Sequence, residues 1–217
     1  MSIAGVIVNS IRGGSASTID RPKSLNERAQ GPVTLIQLQI GLLASAKELQ
    51  SDLREIATSA DTNTSSGLQQ VLQETTLSLL RQPNLWVYAN LENGQVPFNS
   101  AESTFNRLSL TERSKLSAET TSNFSGQVLA SNSSGVHPGE ADSTSEYIAV
   151  TVLVASNSRL NLNDTNTSDQ LRTSLRLLGS IASTDLMALE VIWQPDGTGD
   201  VLSAEELVTA YPNFKHL

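Results

Sequence analysis

A chain of 217 residues with 38% hydrophobic and only 4% aromatic side chains can bury one core, built mainly from Leu, Ile, Val and Ala. A net charge of −8 with no offsetting Lys/Arg cluster repels phosphate backbones, which excludes nucleic acid as a partner. The absence of cysteine excludes disulfides, thiolate nucleophiles and thiol-ligated metals.

The chain opens on an apolar stretch, Ile3 to Ile11, too short to span a bilayer, which takes about 20 residues. It reads either as a disordered terminus or as the last turns of a membrane helix. Residues 9–32 are rich in Gly, Ser, Arg and Pro and form a flexible tether. Leu35, Leu42, Leu49 and Ile56 then recur every seven residues, with Leu38, Ala46 and Leu53 beside them. That spacing predicts one apolar stripe on a helix over 35–57. Ser66-Gly67-Leu68-Gln69 has the form of a capping box for a second helix, which Pro83 stops, giving an N-terminal helical hairpin.

Leu85 to Ala89 is β-prone and bounded by turn residues, Glu92-Asn93-Gly94 following it. Residues 100–124 read as an interrupted helix, because Ser109-Leu110-Thr111-Glu112 is a further capping box that predicts a new start. Ser125 to Ser145 lacks pattern and reads as a loop. Glu146 to Ala155 is a nearly continuous apolar strand, covered on both faces. A helix on Leu171, Leu175 and Leu178 follows, with Gly179 as C-cap; Leu186 to Trp193 is a strand; Ser203-Ala204-Glu205-Glu206 opens a last helix, ended by Pro212. The predicted fold class is α+β. It comprises the helical hairpin, then a small sheet of about three strands with packed helices, in the order α-α-β-α-β-α-β-α. The predicted organisation is an apolar stub and tether over 1–32 and a single α+β domain over 33–217.

Catalytic patterns are missing. His137 and His216 have no carboxylate at a helical spacing that would aim them. No serine elbow or phosphate-cradling Gly loop is present, and the Gly197-Thr198-Gly199 turn lacks calcium-loop spacing. The expectation is no enzyme, no cofactor and no metal. Glu190 stands apart because it interrupts an apolar strand. A place near a sheet edge is the ordinary explanation, and a buried acid in a ligand pocket is the alternative. A further alternative is a scaffold that assembles through the 35–57 helix.

Four blocks, read in order, resemble a known family. They are Leu38-Gln39-Ile40-Gly41-Leu42-Leu43 through Leu72-Gln73-Glu74-Thr75 to Leu80-Arg81-Gln82-Pro83; Phe105 to Lys115; Glu146 to Thr151; and Leu189-Glu190-Val191-Ile192-Trp193-Gln194-Pro195 with Leu202 to Leu207. The pattern is similar to the domain-of-unknown-function 1517 family of cyanobacteria and chloroplasts, over residues 33–217. The resemblance implies association with thylakoid or chloroplast membranes, a part in photosynthetic acclimation and photoprotection, and no catalytic residues to carry over. It also implies a membrane segment before the domain, of which Ile3 to Ile11 would be the stub. The function expected is a non-catalytic regulatory or assembly factor that contacts a protein partner at a membrane. Glu112, Arg113 and Lys115 form the candidate contact surface, because packing alone does not call for that polar block.

Overall fold

The computed structural model describes residues 6–9, 31–122, 137–138, 146–162, 164–195 and 200–217. Among the described residues, eight strands and five α-helices follow one another as β1 (Val6–Asn9), β2 (Val33–Leu43), α1 (Lys47–Ser59), α2 (Ser65–Leu80), β3 (Trp86–Val96), α3 (Phe98–Ser122), β4 (His137–Pro138), β5 (Glu146–Ser156), α4 (Ser168–Gly179), β6 (Leu186–Gln194), β7 (Asp200–Ser203), α5 (Ala204–Ala210) and β8 (Lys215–His216). Six strands lie in the order β1-β6-β5-β2-β3-β8, all antiparallel, with β7 pairing the start of β5 and β4 pairing β7.

The sheet is therefore twice the size expected, and the helical hairpin does not lead the domain as predicted. The segment expected as the first half of the 35–57 helix is β2, in the middle of the sheet between β3 and β5. Its residues explain why. Ile36-Gln37-Leu38-Gln39-Ile40-Gly41-Leu42 alternates strictly, a period of two that fits a strand with two unlike faces. Leu49, Leu53 and Ile56, the rest of the supposed stripe, belong to α1. No 35–57 helix exists through which a scaffold could assemble. The stub Val6–Asn9 is an edge strand on β6 (Val6 opposite Ile192, Asn9 opposite Leu189). The loop expected over 125–145 lies outside the described residues, apart from β4.

Helices cover both faces. Ile36, Leu38, Ile40 and Leu42 of β2, with Ile148, Val150, Val152 and Val154 of β5 and Leu189, Val191 and Trp193 of β6, bury one face against α1, α2 and α4. The opposite face carries α3 at one end, through Ala101 and Phe105, and α5 at the other, through Leu207 and Tyr211. The second face is mixed, and the polar groups in its middle set up the site described below.

Local signals fared unevenly. The capping box at Ser203 is present, with Glu206 returning a bond to the Ser203 amide at 2.8 Å. The cap of α2 is Thr64, not Ser66; its hydroxyl accepts from the Gly67 amide at 3.1 Å. The turn expected at Glu92-Asn93-Gly94 is the continuation of β3. Gly179 is not a C-cap but the last residue of α4, and it stands where α4 crosses α2. A Cβ there would meet Thr76 Oγ1 at 2.6 Å. Gly179→Ala should therefore cost about 1–3 kcal/mol, and Thr76→Ala in the same chain should recover much of that loss in a denaturant double-mutant cycle.

Candidate functional site

The site is a polar layer between α3 and the sheet. Along α3, Ala101, Phe105, Ser109 and Glu112 are buried, a helical stripe that turns from apolar to polar halfway. The apolar half seats on Val33, Leu35, Leu153, Ala155 and Ala188. The sheet beneath the polar half changes in step: Gln37 and Gln39 of β2, Thr151 of β5, Asn90 of β3 and Glu190 of β6 are all buried. The capping box read at Ser109 starts no helix, since α3 runs unbroken through it and Glu112 turns to the sheet.

Glu112, only 1% exposed, is the hub. Its Oε1 accepts from Gln37 Nε2 at 2.6 Å, Gln39 Nε2 at 2.8 Å and Lys115 Nζ at 2.8 Å, and its Oε2 from Thr151 Oγ1 at 3.0 Å. Asn90 Nδ2 donates to Gln39 Oε1 at 3.0 Å, which turns the Gln39 amide nitrogen toward Glu112. A charge taken from water is tolerated only when its lone pairs are met, and here they are. Lys115, whose side chain is 18% exposed, also lies over the Tyr211 ring at 4.1 Å.

Glu190 is held differently. Its Oε1 accepts from Arg113 Nε at 2.7 Å, while its Oε2 is buried without a hydrogen-bond partner. Arg113 is partly exposed and comes in from α3. Four residues along β6, Gln194 accepts from Tyr211 Oη at 3.2 Å through Oε1, and its Nε2 is buried without a partner.

The three residues expected as a contact surface thus divide. Glu112 is inside, Lys115 is mostly covered, and Arg113 reaches from the surface to Glu190. Asn106, Arg107, Leu110, Thr111 and Ser114 are among the residues that face outward on α3, with Leu110 67% exposed. The spacing of the capping-box residues concealed this: Leu110 and Glu112 are two residues apart in the motif but lie on opposite faces of a continuous helix. The sheet partners Gln37, Gln39 and Thr151 were missed altogether, although the repeated Gln in β2 was their signal.

A cleft of about 180 Å³ opens at the sheet margin among Leu35, Gln37, Glu92, Thr104 and Leu108, and a groove of about 380 Å³ separates α1 from α2 beside Asp52, Glu55 and Glu74. Glu190 lines neither. Among the described residues no group of three or more His, Asp and Glu is placed to hold a metal ion, and no helix is long and apolar enough to cross a membrane.

Beyond this layer, Tyr147 meets Tyr88 edge to face, ring centroids 5.8 Å apart. Burial first, then the Tyr88 phenol, raises the Tyr147 hydroxyl above its usual 10.0. Unfolding would restore ordinary titration, so above about pH 10 the unfolded chain binds fewer protons than the folded one. The contribution is fully present below that pH and is lost as pH rises through the folded value. Denaturant melts should show this decline as pH rises above about 10, and Tyr147→Phe should flatten it.

The sequence matches the family described as "Protein of unknown function (DUF1517)" over residues 32–217. It is 42% identical over 220 residues to Protein FLAP1 homolog A of Synechocystis sp., an alignment covering 99% of this chain and 66% of that protein. It is 37% identical over 186 residues to FLUCTUATING-LIGHT-ACCLIMATION protein 1, chloroplastic, of Arabidopsis thaliana, covering 85% of this chain and 46% of that one. The chain thus spans just under two thirds of the first relative and about half of the second. No solved structure matches.

Proposed function

The chain belongs to the DUF1517 family, and from that we propose that it is a non-catalytic regulatory or assembly factor in photosynthetic acclimation and photoprotection, acting by protein contacts at the thylakoid or chloroplast membrane. The names of the two relatives support the acclimation role, and the chloroplastic label of the plant protein supports the compartment. Both relatives are longer than the matched stretch, and membrane attachment belongs to such additional sequence rather than to Val6–Asn9, which pairs with β6.

The observation that carries protein contact is the outward face of α3. Leu110 stands 67% exposed there, with Arg107 one turn before it and Ser114 one turn after, while the other face of the helix is bonded to the sheet. Arginine is enriched at contact centres, and here Arg107 stands one turn from an exposed leucine on a helix fixed by its other face. A photo-crosslinker at Ser114, in the chain added to isolated thylakoids, should give one defined product. Leu110→Asp should lower its yield about tenfold without altering the circular dichroism. A yield no higher than from a crosslinker at exposed Glu55 would refute the reading.

One observation favours a second reading, a small-molecule-binding domain or enzyme with a pocket near Glu190: the buried Oε2 without a partner. It requires that Glu190→Gln abolish the thermal shift given by some small ligand, with a silent library as the contrary result.

A further inference from the structure

Three of the four donors on Glu112 come from outside its own helix. Gln37 and Gln39 project from β2 and Thr151 from β5, and their donor atoms lie 2.6–3.0 Å from a single carboxylate. None of them is charged, and all are at least nine-tenths buried. Their aim is fixed without Glu112: two neighbouring strands hold the backbones in register, with Gln39 directly opposite Thr151, and Asn90 orients the Gln39 amide. A rigid sheet that turns three donors to one point is a receptor for a carboxylate, whichever chain the carboxylate comes from.

Its present occupant is held by polar groups and not by apolar packing. The apolar seat of α3 is complete at Ala101 and Phe105, with Leu108 packed at its margin. At Ser109 and Glu112 the helix meets the sheet through polar groups, which water can satisfy if the helix lifts. Lifting residues 109–115 therefore parts polar contacts, the Arg113–Glu190 ion pair among them, and leaves the first half in place.

We propose that the sheet face formed by Gln37, Gln39 and Thr151 is a carboxylate-binding site. Glu112 is its resident ligand, and an acidic side chain of a protein partner takes the same donors when α3 withdraws. This rests on the protein-contact reading above and adds the chemistry of what is recognised.

The test uses the whole chain with formate as the probe. Glu112→Ala should melt lower than the parent, and sodium formate should raise its Tm saturably by about 3 °C or more. Sodium chloride at equal ionic strength should not, and the parent should not respond to formate. Adding Thr151→Val should remove at least half of the rise. Equal effects of formate and chloride on Glu112→Ala would overturn the proposal. If that variant does not fold, hydrogen exchange of Glu112→Gln decides. Amides of residues 109–115 should exchange about tenfold faster than in the parent while 98–105 hold, and uniform exchange along α3 would overturn the proposal. A failed crosslink at Ser114 with successful formate rescue would reject the partner while leaving the carboxylate site standing.

Discussion

Ile40→Ala should destabilise the chain by about 2–5 kcal/mol in denaturant unfolding. Ile40 is fully buried in β2, opposite Ala89 on one side and Val150 on the other. Truncation removes about three methyl or methylene groups from a face closed by α1, α2 and α4, and strands bonded on both sides cannot collapse into the gap. The same residue discriminates between the two structures that the segment could have formed. In a helix with Leu35, Leu38 and Leu42 on its buried stripe, Ile40 would lie off that stripe and its loss would cost well under 1 kcal/mol. In the strand, Ile36, Leu38, Ile40 and Leu42 are all costly, a two-residue rhythm.

Glu112→Ala should cost about 3–5 kcal/mol, because removing one partner of a buried ion pair strands what it bonded. Gln37, Gln39 and Thr151 would each keep a donor pointing into a space lined by protein. Lys115, being partly exposed, can swing to water, which holds the figure to the lower part of that range. Thr111→Ala, one residue away on the exposed side, should stay within about 0.5 kcal/mol. Near-equal effects of the two substitutions, read from unfolding midpoints, would mean that the polar layer contributes nothing to seating α3.

Much of the second half of the fold was legible. Glu146 to Ala155 and Leu186 to Trp193 were mostly apolar runs with turn residues beyond them, and both are buried strands. The α4 and α5 helices had periodicity or caps that no competing pattern contradicted. The first half misled because seven is a near multiple of the helical period. Leu35 and Leu42 satisfied the heptad while sitting on opposite faces of β2, in different apolar clusters. The alternation Ile36 to Leu42 was the stronger signal, since it placed two glutamines where a helix gives them no common face. The candidate site was half legible. Glu112, Arg113 and Lys115 were singled out for being polar where packing did not ask for it, and Glu190 for interrupting a strand. Their meeting across α3 and the sheet depends on a register that no local pattern encodes.

The pairing of β2 with β5 has a consequence in time. Leu43 lies opposite Tyr147 and Thr34 opposite Ser156, contacts separated by more than 100 residues, so the centre of the sheet cannot close until most of the chain has been synthesised. Until then an 11-residue strand with β3 on one side must keep its other side from pairing elsewhere. Its alternating glutamines keep one side of it compatible with water during that wait. The same residues that receive Glu112 in the finished molecule would then act as its guard on the ribosome.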